Sequence, residues 1–227
     1  NFTTSGYGMT PEIAALCEKY CGAVAVSWDR SDYTLRAVNM LIDAGVKTNI
    51  HYVLGNNSVD EAIERLRADD FPEGINAVIF LLHKPVEQGT EDNVLSADDP
   101  KVKAFFEQID RGHRFKVGMD SCQVPGAVNF CGHIHPASLD TCEGGRFSCY
   151  ISADMYMTPC SFDQERKYTV SLRERTIEDA WNSAEFENFR NRMKGACPEC
   201  SKRELCMGGC PLMRNIVLCG RREKRYI

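Results

Sequence analysis

The chain has no run of about 18 consecutive apolar residues, so it lacks a helix that could span a membrane. No charged-then-apolar signal peptide is visible in the given residues. It has no excess of positive charge: 27 Lys and Arg stand against 32 Asp and Glu, a net charge of −5. That balance argues against a nucleic-acid-binding surface as the main role. It has no initiator Met, beginning at Asn1 inside what reads as a strand, so the expectation is a piece of a longer protein. No Ser- or Gly-rich linker interrupts it. What remains is 227 residues of ordinary soluble composition, 43% hydrophobic and 26% charged, enough for one large domain or two smaller ones.

Cysteine is what the chain has in quantity. There are 12, and all but Cys17 and Cys21 lie beyond residue 120. Disulfides in a secreted scaffold are one reading of such a count. The regular first half favours metal ligation instead. The densest stretch is Cys197 to Cys210, four thiols in the pattern Cys-x2-Cys-x5-Cys-x3-Cys. An x2 pair needs only a tight turn to aim both sulfurs at one centre, and Gly208 and Gly209 let the backbone close around it. Zinc and iron–sulfur clusters both accept such ligands, and counting thiols does not separate them. Cys17 and Cys21 share one helix face with no other thiol near in sequence, and read as half-buried residues rather than ligands.

The first half alternates strand and helix. Phe2–Ser5 reads as a strand. Thr10-Pro11 opens a helix with Ile13, Leu16, Cys17 and Tyr20 as its apolar face. Residues 23–27 read as a buried strand, and Asp32 to Ala44 as a helix with Leu35, Val38, Leu41 and Ile42 inward and Gly45 closing it. A strand over 46–54 follows. Ser58-Val59-Asp60-Glu61 reads as a capping box opening a helix to about Ala68. A strand over 75–82, a helix from Pro100 to about Asp110 and a strand over 115–118 complete the series. This alternation means parallel βα units, whose ligands bind at the carboxyl ends of the strands. The positions to watch are therefore Thr4-Ser5-Gly6, Ser27-Trp28-Asp29, Asn49 to His51, and His83. The plainer alternatives are turn caps for Ser27 and Asp29, and packed or solvated imidazoles for His51 and His83. About five βα repeats are fewer than a barrel needs, as if the opening strands were missing.

After Asp120 periodicity weakens and Gly, Pro and Cys become frequent. The boundary is placed there, giving domains 1–120 and 121–227. Residues 147–152 and 156–159 read as a β-hairpin around Ala153-Asp154-Met155. Helices start at Thr176 and Ser183, and Phe186, Phe189 and Met193 form a core stripe.

The wider spacing is more specific. Cys142, twelve residues, Met155, four residues, Cys160, then the four-cysteine stretch and finally Cys219 resembles the seven-cysteine pattern of the SPASM domain. That domain is the C-terminal auxiliary-cluster module of many radical S-adenosylmethionine enzymes. Gly145-Arg146, Trp181-Asn182-Ser183, Phe189-Arg190 and Gly208-Gly209-Cys210-Pro211 fit the same pattern. The first half resembles the later part of the radical-enzyme barrel, with Thr4-Ser5-Gly6 and Val26-Ser27-Trp28-Asp29 as its marks. The implied architecture is α/β: later βα units of a partial (β/α) barrel, then a small α+β cysteine-rich cluster domain. Met155 stands where glycine is usual. The Cys-x3-Cys-x2-Cys motif that holds the radical-initiating 4Fe–4S cluster does not occur in the chain, and the expectation is that it lies upstream of Asn1.

The resemblance implies two auxiliary 4Fe–4S clusters. Cys197, Cys200, Cys206 and Cys219 would hold an outer one. Cys142, Cys160 and Cys210 would hold an inner one, with Cys122 favoured as its fourth ligand and Cys131, Cys149, substrate or solvent as alternatives. Ser27 and Arg36 would hold the methionyl carboxylate of S-adenosylmethionine; the plainer alternative for Arg36 is a solvated helix residue. A planar guanidinium suits a carboxylate because it can donate two parallel bonds. The implied activity is hydrogen abstraction from a peptide or protein substrate, with a flavodoxin- or ferredoxin-type reductant, in a reducing cytoplasm. Ser161 follows Cys160 where sulfatase-maturing relatives carry Asp, which disfavours that activity. The rival is a non-catalytic electron-transfer or zinc-binding partner that lacks the initiating cluster.

Overall fold

The computed structural model describes residues 1–220. They fall into two compact units: Asn1–His83 with Lys103–Asp120, and Lys84–Val102 with the described residues from Ser121 onward.

In the first unit, five parallel strands lie in chain order: β1 (Phe2–Thr4), β2 (Val24–Ser27), β3 (Thr48–Leu54), β4 (Ala77–Leu82) and β5 (Lys116–Met119). Helices α1 (Pro11–Tyr20), α2 (Asp32–Asp43) and α3 (Val59–Ala68) connect the first four, and α4 (Pro100–Ile109) precedes the last. A parallel sheet whose order never reverses, with right-handed crossovers, has all its helices on one face. The burial pattern agrees. Val24, Val26, Ile50, Tyr52, Leu54, Val78, Phe80 and Leu82 alternate along the strands and are buried. Ser27, Asn49, His51, Ile79 and Leu81, on the other face, are half-buried. The buried face continues through edge-on ring contacts from Phe80 to Phe105 and Phe106, and from Tyr52 to Phe71 and Phe115. Each fully buried side chain of this size contributes about 1.5–3 kcal/mol.

Helix α1 starts as its sequence indicates, with Thr10 Oγ1 accepting the Ile13 amide and Pro11 in the first turn. Its expected apolar face is a correction. Ala14 and Cys17 face inward, whereas Ile13, Leu16 and Tyr20 are exposed. The reason is position. β1 is the edge strand, so α1 packs beside α2 and meets no helix on its other flank among the described residues. On α2, Val38 and Leu41 are buried as expected, but Thr34 and Ala37 complete the inner face while Leu35 is exposed.

The capping box is a second correction. Ser58 gives α3 no side-chain cap. Its hydroxyl accepts the Gly55 amide at 2.9 Å and donates to the Val53 carbonyl at 2.8 Å, closing the turn before the helix. Glu61 turns instead to Arg30, Tyr52 and Arg65. Asn49 and His51 are a third. They lie inside β3 rather than after it, and Thr3 Oγ1 approaches His51 Nδ1 at 3.4 Å.

The second unit carries α5 (Val124–Phe130), a three-stranded antiparallel sheet of β6 (Tyr150–Ile151), β7 (Tyr156–Thr158) and β8 (Val170–Ser171), and then α6 (Ile177–Trp181), α7 (Ala184–Gly195) and α8 (Arg203–Cys206). The hairpin is shorter than expected and gains a third strand. Its apolar side packs on the helices, with Met157, Val170, Ala180 and Phe186 in one cluster and Tyr168, Phe189 and Met193 in another. Thr176 and Asp179 form the capping box that Ser58 does not. Among the described residues no helix is long and apolar enough to cross a membrane.

Candidate metal centre

Four separate stretches bring cysteines to one cavity in the second unit. Cys122 sits on a single helical turn just before α5. Cys142 precedes a tight loop, Cys160 follows β7, and Cys210 follows the Gly208-Gly209 turn. All four line the same cavity, whose remaining wall is largely apolar and includes Phe162, Phe189, Leu212 and Met213. Cys131 and Cys149 are not in that wall; Cys131 caps α5 and Cys149 is exposed.

Each thiol is held by local structure. The Cys142 loop closes when Arg146, Phe147 and Ser148 amides donate to the Glu143 carbonyl. Arg190 of α7 clamps it, donating to the Gly145 carbonyl at 2.5 Å and the Trp181 carbonyl at 2.6 Å while lying over the Trp181 ring. Phe186 and Phe189 pack beneath Gly145. The Cys160 turn is fixed by Asp163, whose amide donates to the Cys160 carbonyl. The Asp163 carboxylate is buried and accepts the Tyr168 amide at 2.8 Å, the Lys167 amide at 3.1 Å and the hydroxyls of Thr158 and Thr169.

Cys210 is reached through three successive left-handed residues, Met207 (φ 46), Gly208 (φ 79) and Gly209 (φ 81). A Cβ on Gly208 would collide with Ala196, and one on Gly209 would stand 2.6 Å from Val217 and 2.9 Å from Pro125. Glycine is therefore required here both for backbone angle and for space. The Met213 amide donates to Cys210 Sγ at 3.3 Å.

Burial pushes the Cys142 thiol up to about 11, with the neighbouring Cys160 and Cys210 adding to the effect. Burial also raises Cys160, while the Phe162 amide and the Lys84 ammonium act to lower it. Thiols clustered in an apolar wall are poor acids alone, and they deprotonate where a metal takes the place of the proton.

Cys197, Cys200, Cys206 and Cys219 are not in the wall of this cavity. Cys197 is left-handed (φ 50), and its carbonyl accepts the Cys200 amide at 3.0 Å. Cys206 ends α8, and its carbonyl accepts the Thr141 hydroxyl at 3.2 Å. Cys219 follows the buried run Ile216, Val217 and Leu218. Among the described residues no group of three or more His, Cys, Asp or Glu side chains is gathered as ligands of a single metal ion. The Cys122, Cys142, Cys160 and Cys210 thiols stand around a cavity instead, a donor set of the all-thiolate kind that iron–sulfur clusters use.

In the first unit, Ser27 ends β2 half-buried and Arg36 is exposed on α2, with no hydrogen bond between them among the described residues. Asp29 is a structural hub: burial alone would raise its carboxyl, but donation from Ser31, Thr34 and Tyr33 holds it well below the usual range. Cys17 and Cys21 lie apart from the other thiols in sequence, and burial raises Cys17. Lys84, Phe162 and Asp163 were not marked by spacing. Phe162 and Asp163 directly follow the Cys160-Ser161 pair, and Lys84 directly follows His83.

Residues 142–206 match the SPASM family, an iron–sulfur cluster-binding domain. The chain is 25% identical to mycofactocin maturase MftC of Mycolicibacterium smegmatis, an alignment covering 92% of this chain and 58% of that protein. The chain thus spans somewhat over half the length of this curated relative. Its fold matches anSMEcpe solved with bound AdoMet and the Kp18Cys peptide, with a TM-score of 0.63 and 16% identity over 99% of this chain and 68% of that one. The form with AdoMet alone matches with a TM-score of 0.61 and 17% identity over 94% and 65%. The α/β sheet followed by a cysteine-rich SPASM region is the architecture these comparisons share with the chain.

Proposed function

We propose that this SPASM-bearing chain is the barrel-end and auxiliary-cluster portion of a radical S-adenosylmethionine maturase that modifies a peptide or protein. The observation that carries the reading is the convergence of Cys122, Cys142, Cys160 and Cys210 on one apolar cavity, two of them, Cys142 and Cys160, within the stretch that matches a cluster-binding family. Those four residues hold an inner 4Fe–4S cluster. Cys197, Cys200, Cys206 and Cys219 hold an outer one. When bound, such clusters supply one-electron redox chemistry next to the substrate. The protein's part is to fix the thiols, keep water from the inner site with Phe162, Phe189 and Leu212, and present the carboxyl ends of β1 to β4 to AdoMet. Ser27 and Arg36 bind the methionyl carboxylate. The likeness to a mycofactocin maturase and to an enzyme seen with a peptide supports a peptide substrate. A flavodoxin- or ferredoxin-type protein is the electron donor.

Iron analysis after anaerobic reconstitution tests this. Two four-iron clusters give about 8 Fe per chain. Cys142→Ala and Cys197→Ala should each remove about half, with most of the far-UV circular dichroism of the chain retained. A colourless protein holding zinc, or loss of all iron from either change with that signal intact, overturns the two-cluster assignment.

A further inference from the structure

Among the described residues lining the inner cavity, Lys84 is the one with a charged side chain. It is half-buried, and its ammonium lies 5.0 Å from the centroid of the Phe162 ring. Phe162 belongs to the turn that presents Cys160, so the same ring that walls the cavity also seats the cation. The rest of the wall, Phe189, Pro211, Leu212 and Met213 included, offers little to screen a charge. A charge beside an apolar, water-poor wall acts far more strongly than one in water.

We infer that Lys84 tunes the reduction potential of an iron–sulfur cluster held by Cys122, Cys142, Cys160 and Cys210, its ammonium favouring the reduced form. The inference rests on the cluster reading of this cavity. Adding one electron to an all-thiolate cluster increases its negative charge by one. A fixed cation in the cavity wall stabilises that added charge, and net charge is one of the quantities that sets cluster potential. The Met213 amide, which donates to Cys210 Sγ, acts in the same direction. Lys84 does not touch the reacting atoms in this account. It is a positioning charge.

The test is a potentiometric titration of the reconstituted full chain with dithionite and mediators, followed by electron paramagnetic resonance. Lys84→Met should keep the wild-type iron content and lower the midpoint of one cluster. A tenfold change in its reduced-to-oxidised ratio at fixed potential corresponds to about 59 mV for a one-electron couple. The second cluster should not move, and Lys84→Arg, which keeps the charge, should stay at the wild-type value. Unchanged potentials in Lys84→Met overturn the inference. If Lys84→Met fails to take up iron, Phe162→Leu, which keeps the lysine and removes its seat, replaces it: a downward shift of the same single cluster supports the role and no shift refutes it. Wild-type iron content that does not respond to Cys142→Ala overturns the cluster reading itself, and this inference with it.

Discussion

Glu61 ties three parts of the first unit together. Its carboxylate accepts from Arg30, from Arg65 at 2.7 Å and from the Tyr52 hydroxyl at 3.0 Å, with Trp28 Nε1 at 3.5 Å. Burial would raise its carboxyl, but these donors outweigh it and bring it to about 2 against an ordinary 4.5. A carboxyl lowered by folding contributes stability above its ordinary value, and that contribution disappears as pH falls from about 4.5 through about 2. Glu61→Gln should therefore cost roughly 1–3 kcal/mol at neutral pH, and the gap from wild type should close across that acid window. Solvent reaches the carboxylate, 28% exposed, which argues for the lower half of the range. Urea midpoints at several pH values measure it, and a pH-independent gap would sink the argument. Met155 poses the opposite case. It takes a left-handed conformation (φ 66) at the hairpin turn, and its side chain is 48% exposed. Relief of left-handed strain, about 1–2 kcal/mol, outweighs the extra chain entropy of glycine, about 0.5–1 kcal/mol. Met155→Gly should leave the unfolding free energy from urea titration unchanged or raise it by up to about 1 kcal/mol; a clear loss would show that the side chain packs in a way its exposure denies. The sequence made this residue visible because glycine is usual there. It could not make Glu61 visible, since a Ser-x-x-Glu spelling is common to a capping box and to a side chain used elsewhere.

At the scale of elements, what is legible is periodicity plus punctuation. All five parallel strands and four helices of the first unit are readable, because strands such as Val24–Ser27 and Ala77–Leu82 are short apolar runs and helices are marked at one end or the other by a Gly, a Pro or a capping residue, as at Thr10-Pro11 and Gly45. What periodicity does not carry is which apolar stripe finds a partner. Ile13, Leu16 and Tyr20 make a sound helical face and remain exposed because α1 flanks an edge strand. In the second unit the strands are two or three residues long, too short to show a period, so β8 went unseen. There the cysteine spacing was the readable signal, and polar tethers do the work that strand length does elsewhere. Asp163 is the chief of these, joining the Cys160 turn to β7 through Thr158 and to the start of β8 through Tyr168 and Thr169. Asp163→Ala leaves the buried Tyr168 amide and the part-buried Lys167 amide without their acceptor and should cost about 1–3 kcal/mol. If the tether positions Cys160, iron uptake should fall in the same variant. Denaturation midpoint and iron content together check it, and an Asp163→Ala protein equal to wild type in both would refute the account.

At the scale of the molecule the two units are stabilised by different means. The first buries Val24, Val26, Ile50, Tyr52, Phe80, Phe105 and Phe106 almost completely, in a sheet with four helices on one face. That core needs no cofactor. The second has three minimal strands, short helices and small clusters such as Met157, Val170, Ala180 and Phe186. A core divided into such small clusters gains from metal crosslinks, and binding energy of a metal centre there is folding energy. The sequence pointed to this contrast through the position of its cysteines, with all but two beyond residue 120. The consequence is measurable by hydrogen exchange on iron-loaded and iron-free protein. Removal of iron under reducing conditions should speed exchange at the amides of β6, β7 and β8 and of the Cys160 to Thr169 loop by about tenfold or more, the equivalent of at least ~1.4 kcal/mol. The amides of β2, β3 and β4 should keep their protection, because nothing in their packing changes when the thiols lose their metal. Equal acceleration in both units would mean that one cooperative transition spans the chain, and the division of stabilising forces argued from the two cores would be wrong.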